Sequence, residues 1–459
     1  MTDLERRRQD GTDWSGSPDP ADATPSTNAA VDPSAPGDEN RKALIRLVVA
    51  VAAGSAVFVY LGWGPAALVV ALFFVMIMVH ELGHFVMAKR AGMKVTEYFV
   101  GFGPRLWSIR KGETEYGVKA LPFGGYCKII GMTNVDPEVD PEDEPRTYRQ
   151  QSYPKRLSVA VAGSVMHFVM AFVMLMALNA LVGNPDHPNV QPVVEEVLGF
   201  KDGPSPAKQA GIEAGDRILA VDGRPVKNWK HDATDRIQAS AGRPLQILVE
   251  RKGSRLSLTA TPADLLQVNS QLAPADQEPA QLLPDEAHAG FLGITASATY
   301  PTTKNPLVVV GRSAMDLGRD TKFTLGSLVS IFSFKGISGY TRQVASGGST
   351  SKDANNRFLS PVGLVRVSGV VARGPDGVRH VLGLLILINV FVGVFNMAPV
   401  LPFDGGHVVI ATYERIRSRK SKRYFADVSK MLPVVYAVVA VLAFIFLSST
   451  YLDIFHWNF

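Results

Sequence analysis

Four long stretches of this 459-residue chain contain no charged residue, and they limit its possible folds more than any other feature. The first, from Leu47 to Val79, spans 33 positions, which exceeds the roughly 20 residues that one helix needs to cross a bilayer. Gly62-Trp63-Gly64-Pro65 interrupts it with a turn sequence, so it predicts two helices. The other three, 157–182, 381–403 and 431–452, are each near the length of one span. The sequence therefore predicts a polytopic α-helical membrane protein.

Basic residues predict how the spans are oriented. They flank the spans at Arg41, Lys42, Arg46, Lys89, Arg90, Lys155 and Arg156 and in the run 415–423. If five spans alternate, all of these sites lie on one side, and the positive-inside rule makes that side the cytoplasm. Residues 184–380 then lie outside the cytoplasm. Whether helix 41–62 crosses the bilayer or lies in its surface stays open, because the other four spans keep their orientation in both cases.

Composition argues against several classes of protein. The single cysteine, Cys127, excludes a disulfide within the chain and a cysteine-ligated cluster. The formal net charge of +5 could indicate nucleic-acid binding, but the basic residues cluster beside apolar stretches, where membrane lipid is the simpler partner. We therefore predict no nucleic-acid partner. Residues 1–40 are rich in Asp, Pro, Ser and Ala with few large aliphatics, which predicts a disordered tail.

Two regions between the spans have the composition of β structure. Residues 95–132 combine aromatic residues and glycines around a Lys111-Gly112 turn, which indicates β-hairpins. Residues 192–261 alternate β-rich runs with a helix near 232–240, which predicts a compact α+β domain. After it we expect a polar insert to about residue 289, a returning strand at 291–294, an amphipathic helix at 307–334 and a flexible loop at 347–356.

The segment His80-Glu81-Leu82-Gly83-His84 carries the strongest chemical signal. Residues at i and i+4 lie on one face of a helix, so both imidazoles can bind one zinc ion while Glu81 reaches the water that the zinc activates. The motif ends the uncharged run 66–79, and ionisable residues inside a membrane span are costly and usually functional. The alternative is that these residues only mark the polar end of the helix, where Lys, Arg, Trp or Tyr would be more typical.

A catalytic zinc site needs a third protein ligand and an open position for water. Asp404 follows the uncharged stretch 381–403, in a Pro- and Gly-containing segment that could turn its carboxylate inward. His407 and His167 compete with Asp404 as ligands, although each is more simply a packed or hydrogen-bonded histidine.

These motifs resemble the site-2 protease family of intramembrane zinc metalloproteases. The likeness includes residues 80–84, residues 396–406 at the end of a later span, a hairpin region at 97–132, and Ser360-Pro361-Val362-Gly363. It is strongest to the bacterial branch with an extracytoplasmic PDZ domain, whose members cut membrane-anchored anti-sigma factors. The resemblance implies that His80, His84 and Asp404 bind zinc and that Glu81 is the catalytic acid/base.

The resemblance also implies substrate contacts. Asn396 matches an asparagine of the Asp404 motif and is a candidate for contacting the substrate backbone or the developing oxyanion. Two positions depart from the family pattern: Pro402 stands one place later than in the commoner spacing, and His167 occupies a position where members often carry Asn.

Residues 205–223 are similar to a bacterial PDZ domain, with Gly211 and Ile212 as candidate substrate contacts. PDZ folds can add a peptide strand to a sheet edge and capture a terminal carboxylate. Such a domain could bind a trimmed substrate end or exclude bulky untrimmed substrates. The alternative is a packing module without a ligand.

The predicted fold is thus a polytopic α-helical membrane protein with four core transmembrane helices and an additional N-terminal one, a membrane-associated β-hairpin region and an inserted extracytoplasmic α+β PDZ domain. In chain order the predicted segments are the tail (1–40), the additional helix (41–62), the zinc-motif helix (65–88), the hairpin region (95–132), a third span (155–183), the PDZ domain with its insert (190–296), a helical and loop region (300–379), the span with the Asp404 motif (380–406) and a last span (430–452).

The resemblance implies a zinc-dependent endopeptidase of the bacterial plasma membrane, with its active site near the cytoplasmic side. It would cut the transmembrane segment of a single-pass protein, such as an anti-sigma factor already trimmed by another protease, and release a cytoplasmic fragment that alters transcription. One rival hypothesis is a catalytically silent scaffold that presents its PDZ domain. A second is an ion- or proton-coupled transporter that uses His80, Glu81, His84 and Asp404 as a relay, which predicts Lys or Asp residues in other spans, and the interiors of spans one, three and five contain none. The oligomeric state stays open.

Overall fold

The computed structural model describes residues 37–60, 64–132, 139–185, 187, 189–200, 203–268, 289–345, 360–373, 376–418 and 424–455. Its α-helices are α1 (Gly37–Tyr60), α2 (Gly64–Arg90), α3 (Tyr153–Ala177), α4 (Pro206–Gln209), α5 (Asp235–Gln238), α6 (Leu265–Val268), α7 (Pro306–Ile331), α8 (Phe334–Ala345), α9 (Pro361–Arg373), α10 (Gly377–Phe395), α11 (Asp404–Arg417) and α12 (Leu432–Phe455). A π-helical turn, Leu178–Val182, extends α3.

The strands form one long hairpin and one larger sheet with small satellite ladders. They are β1 (Val95–Lys111), β2 (Thr114–Ile129), β3 (Asn189–Val197), β4 (Gly199–Phe200), β5 (Gly203–Pro204), β6 (Arg217–Val221), β7 (Arg224–Pro225), β8 (Leu245–Arg251), β9 (Ser254–Ala260), β10 (Ala263–Asp264), β11 (Gly290–Phe291) and β12 (Ile294–Thr299).

Four of the described helical segments are long and apolar enough to cross a membrane: Ala67–Arg90, Tyr153–Val182, Gly377–Phe395 and Val428–Phe455. They coincide with the four predicted core spans, and the chain is therefore a membrane protein with the expected helical core. The predicted additional helix is present as α1, a helix of 24 residues. That α1 crosses the bilayer stays a prediction, as does the side of the membrane on which each loop lies.

One predicted boundary is wrong. The sequence predicts a span from residue 380 to 406, but α10 ends at Phe395 and Asp404 is the first residue of α11. Between them, backbone hydrogen bonds such as Ala398 N to Phe395 O (3.0 Å) and Phe403 N to Val400 O (3.1 Å) form consecutive turns. Residues 396–403 are as uncharged as a membrane helix, but they form turns. Such irregular backbone is compatible with an apolar segment because its polar groups are bonded within the protein.

Strands β1 and β2 form the predicted hairpin beside α2. They pair antiparallel from Val95↔Ile129 to Lys111↔Thr114, with several register shifts along the ladder. At its base, Met93, Val95 and Ile129 are buried with Ala88 of α2 and Tyr148. Tyr98 donates a hydrogen bond to the Met78 carbonyl of α2 (2.7 Å). The hairpin is thereby fixed next to the helix that carries the zinc motif.

The β-rich residues 189–299 form a separate unit, called the sheet unit below. Its strands follow the order β12-β3-β6-β8-β9, with antiparallel neighbours. Its core is apolar and includes Ile212, Ile218 and Ile247. The predicted strand runs match β3, β6, β8 and β9, whereas the predicted helix at 232–240 consists of a π-helical turn followed by α5. Most of the predicted insert, 269–288, lies outside the described residues.

The spans pack around α3. On one side α3 packs with α10 through a core of Ala171, Leu175, Leu178, Ile386 and Val390. The predicted amphipathic helix at 307–334 corresponds to α7, which adds Leu317 to that core. The predicted loop at 347–356 lies outside the described residues.

Candidate active site

The two motif histidines lie on one face of α2, near its C-terminal end. They are spaced i and i+4, so their side chains project together. The Nε2 atoms of His80 and His84 are 3.2 Å apart, and both residues are buried. The part of α2 that precedes them is apolar, and a helix bonds its own backbone groups, so it is stable where water is excluded.

Asp404 reaches these histidines from a different part of the chain. Its Oδ2 atom lies 3.5 Å from His80 Nε2 and 3.4 Å from His84 Nε2. A hydrogen bond from Gly405 N to Asn396 O (2.8 Å) closes the turn that precedes it. A Cβ atom on Gly405 would lie 2.3 Å from the Met397 carbonyl oxygen, so this tight turn requires glycine there. Gly405 thus permits the tight turn that brings the Asp404 carboxylate to the histidines.

These three groups fit a zinc ion. Their facing atoms form a triangle with sides of 3.2, 3.4 and 3.5 Å. Zinc bound tetrahedrally at about 2.0–2.1 Å requires ligand atoms about 3.3–3.4 Å apart. Asp404 Oδ2 is buried and has no hydrogen-bond partner in the described part of the chain. With the ring protons on Nδ1, three acceptor atoms converge on one point, so a cation is the group that would satisfy them, with a fourth position left for water or substrate.

Helix α3 packs against the two motif histidines. The Nδ1 atom of His84 lies 2.8 Å from the Val159 carbonyl oxygen, which accepts its hydrogen bond and leaves the Nε2 lone pair for the metal. A Cβ atom on Gly163 would lie 2.4 Å from both His80 Cε1 and His84 Nε2. A Cβ atom on Gly83 would lie 2.7 Å from the Ala162 carbonyl oxygen. Helices α2 and α3 can therefore approach closely only because both positions are glycine.

Glu81 lies beside the zinc ligands and against the hairpin. It follows His80 in sequence and interacts electrostatically with His84 and Asp404. It also lies against the backbone of Cys127 in β2. A carboxylate in this position can take a proton from a water molecule in the open zinc position. Burial, followed by the nearby Glu81 carboxylate, raises the pKa of the Cys127 thiol, so this cysteine is not activated as a nucleophile.

The competing histidines do not join the metal cluster. Among the described residues, the one group of three or more candidate ligands within metal-binding distance is His80, His84 and Asp404. The Nδ1 atom of His167 instead bonds to the Asn389 side chain (2.9 Å), and the His407 ring packs 6.4 Å from that of Tyr148. Both histidines are thus hydrogen-bonded or packed.

The remaining predicted site residues are in two places. Asn396, half-buried, ends α10 at the turn that leads to Asp404. Gly211 and Ile212 are in the sheet unit, where their backbone N–H groups donate to Lys208 O (3.2 Å) and Ala207 O (3.0 Å). Ile212 belongs to the core of that unit. A peptide terminus would have to displace these hydrogen bonds, and substrate binding by Gly211 and Ile212 stays a prediction.

Sequence reasoning did not identify two supporting groups, the Val159 carbonyl and Gly163. The available signal was the small residues Ala160, Ala162, Gly163 and Ser164 within an apolar span, because small residues allow membrane helices to approach closely. That pattern does not show which small residue faces a metal.

Two buried histidines and a partly buried aspartate that converge among membrane-length helices are the arrangement expected of a membrane-bound zinc metallopeptidase. Residues 68–440 match peptidase family M50. The chain belongs to this family, the site-2 proteases, and is a zinc metalloendopeptidase.

Curated relatives agree with this assignment. Zinc metalloprotease Rip1 of Mycolicibacterium smegmatis is 33% identical over 394 residues, which cover 80% of this chain and 92% of Rip1. The proteins of the same name from Mycobacterium tuberculosis strain H37Rv and from Mycobacterium bovis are each 33% identical over 395 residues, covering 81% of this chain and 92% of theirs.

Proposed function

We propose that this protease cleaves a peptide bond within the transmembrane segment of a single-pass membrane protein and releases a cytoplasmic fragment. The observation that carries the proposal is that the buried His80 and His84 meet the partly buried Asp404 between helices of membrane-spanning length. A substrate segment that already lies in the bilayer can reach such a site laterally.

The substrate must unwind before it is cut, because a transmembrane helix hides its carbonyl groups in hydrogen bonds. The β1–β2 hairpin lies against α2, and Cys127 of β2 adjoins Glu81. An unwound segment can add to the hairpin as a further strand, with its backbone paired and its scissile bond next to Glu81. Phe102 and Leu121 of the hairpin are partly exposed and can contact apolar substrate side chains.

The residues of the chain divide the chemistry between them. Bound zinc would polarise the scissile carbonyl and lower the pKa of the attacking water. Glu81 takes the proton from this water and later returns it to the leaving amine. Asn396, at the turn before Asp404, offers its amide to the substrate backbone or to the developing oxyanion.

The proposed substrate is a membrane-anchored anti-sigma factor that another protease has already trimmed. In this proposal the sheet unit is a PDZ domain outside the cytoplasm, which binds the trimmed end or excludes untrimmed proteins. Its order of antiparallel strands and its contiguous hydrophobic core support an independently folded domain with sheet edges for peptide addition. The zinc site then lies toward the cytoplasmic face, since Lys89 and Arg90 follow it on α2.

The experiment uses the full-length protein in liposomes with a panel of single-pass transmembrane reporters, including anti-sigma factor segments from the same genome. We expect the wild type to convert at least one reporter into a shorter cytoplasmic fragment. Glu81→Gln should abolish this product while the protein stays folded and binds zinc, because the amide cannot accept the proton. Glu142→Gln, at an exposed position, is the matched control and should cleave normally. Turnover by Glu81→Gln would contradict the proposed mechanism.

A further inference from the structure

The two zinc-binding histidines are supported unequally. Each presents Nε2 to the metal position, so in each neutral ring the proton is on Nδ1. Metal-binding histidines usually donate this second N–H to an acceptor, which fixes the tautomer and the ring orientation. His84 has such an acceptor in the Val159 carbonyl (2.8 Å). His80 Nδ1 is buried and, within the described part of the chain, has no hydrogen-bond partner.

The ring next to His80 is that of His167 on α3. The two ring centroids are 5.0 Å apart, with an angle of 45° between the ring planes. Two imidazoles joined by one N–H···N hydrogen bond of about 3 Å have centroids roughly 5 Å apart, so the separation of these two rings is compatible with such a bond. His167 is 2% exposed, so its ring cannot turn from His80 to solvent.

Asn389 on α10 determines which nitrogen of His167 carries the proton. The Asn389 side-chain amide donates from Nδ2 to the Leu385 carbonyl (2.8 Å). This bond turns Oδ1 toward His167, where it lies 2.9 Å from Nδ1. Because Oδ1 can only accept, Nδ1 of His167 is the donor and Nε2 keeps a lone pair. The ring next to His80 thus offers an acceptor.

We infer that His167 is a positioning residue of the zinc site: its Nε2 accepts a hydrogen bond from Nδ1–H of His80, and Asn389 holds it in the accepting tautomer. This inference rests on the assignment of His80 as a zinc ligand. It explains why a histidine and an asparagine are buried together inside two membrane spans, where polar groups are costly. The Gly163 carbonyl is the other acceptor near His80, and it is unchanged in every variant below.

The test measures zinc binding by full-length protein in detergent, with a chelating dye as competitor. Loss of a hydrogen-bond partner behind a ligand typically weakens metal binding by about 10- to 100-fold, so His167→Leu should raise the zinc Kd by that factor. His167→Gln should stay near the wild-type value, because its amide oxygen can accept from His80. Thr324→Val, which changes a buried hydroxyl on α7, is the control and should bind zinc normally.

A packing role predicts the opposite order, because leucine fills an apolar site better than glutamine. Equal zinc binding by the wild type and His167→Leu would therefore overturn the inference. If His167→Leu fails to fold, Asn389→Leu keeps the histidine and should still weaken zinc binding, whereas an unchanged Kd in that variant would count against the inference. A wild-type protein that binds no zinc would instead refute the zinc site on which the proposed function depends.

Discussion

Helix α12 and the sheet unit place their apolar residues on opposite surfaces. In the sheet unit Ile218, Val221, Ile247 and Val249 are fully buried, and charged residues such as Arg255 are exposed. In α12 the buried residues are Ser448, Ser449, Leu452 and Asp453, whereas its valines and phenylalanines are largely exposed. Burial of apolar area from water stabilises the sheet unit, but it cannot hold helices together in lipid, where the surroundings are equally apolar.

Polar contacts and close approach between helices therefore specify the helical part. Asp453 accepts a hydrogen bond from Ser360 N (2.7 Å) at the start of α9, and Tyr340 of α8 is 2.7 Å from Ser448. Elsewhere, Gly83 and Gly163 allow α2 and α3 to approach closely beside His80 and His84. The same kind of substitution therefore has different consequences in the two regions, depending on which interaction it removes.

The largest effect is expected from Gly163→Ala. The added methyl group would lie 2.4 Å from His80 Cε1 and from His84 Nε2, so either the rings or α3 must move. We expect zinc affinity to fall by ~100-fold or more, and cleavage with it. Zinc titration of the purified variant measures the effect. Gly311→Ala on α7 is the control, since a Cβ atom there meets nothing within 4 Å, and zinc binding by Gly163→Ala equal to that of the control would contradict the predicted clash.

A smaller effect, confined to the sheet unit, is expected from Ile247→Ala. Ile247 is fully buried in the core, and truncation of such a residue costs about 2–5 kcal/mol through lost burial and the cavity left behind. Amide hydrogen exchange in residues 189–299 of the full-length protein should speed up accordingly, while zinc binding is unchanged. Val439→Ala, at an exposed apolar position of α12, should change the stability of the helical part by much less. Equal losses in both variants would remove the contrast between the two regions.

The smallest effect is a pH dependence of the sheet unit. Burial alone would raise the pKa of Asp216, but hydrogen bonds from Arg251 and from the Glu213 backbone lower it below the ordinary value. A lowered folded-state pKa stabilises the unit above the unfolded-state value of about 4, and this contribution is lost as the pH falls through the folded-state value.

Hydrogen exchange in residues 189–299 measured between pH 7 and pH 3, after correction for the intrinsic rate, should therefore show lower stability at the acidic end. In Arg251→Met burial dominates, so Asp216 is protonated more readily and the stability should instead decrease from pH 4 toward pH 7. Arg255→Met, at an exposed position of β9, serves as the control. The same pH profile in Arg251→Met and the wild type would show that Arg251 does not set the pKa of Asp216.

Much of the architecture follows from the sequence because its signals are local. The uncharged stretches predict the four core spans, and the aromatic and glycine pattern around Lys111-Gly112 predicts the hairpin. The i, i+4 spacing predicts that His80 and His84 face one another. Asp404 could be selected as their partner from its position after an uncharged stretch. The end of α10 before it could not be predicted, because hydropathy does not distinguish a buried turn from a helix.

The supporting groups of the site could not be predicted because they depend on the relative rotation of helices. The sequence does not show that Gly163 faces the imidazoles or that the Val159 carbonyl meets His84, since a rotation of α3 by about 100° would present the next residue instead. The His167–Asn389 contact joins residues 222 positions apart and has no local signal.

The ends of the sheet unit lie side by side. Its first strand, β3, pairs with its last, β12, as in Asn189↔Thr299, and just outside it Thr303 N donates to the Asn179 carbonyl (3.2 Å) at the end of α3. The chain thus leaves and re-enters the helical part at neighbouring points. Evolution can therefore lengthen, exchange or delete this insertion without altering the distance between His84 and Asp404, so the sheet unit can diversify independently of the active site.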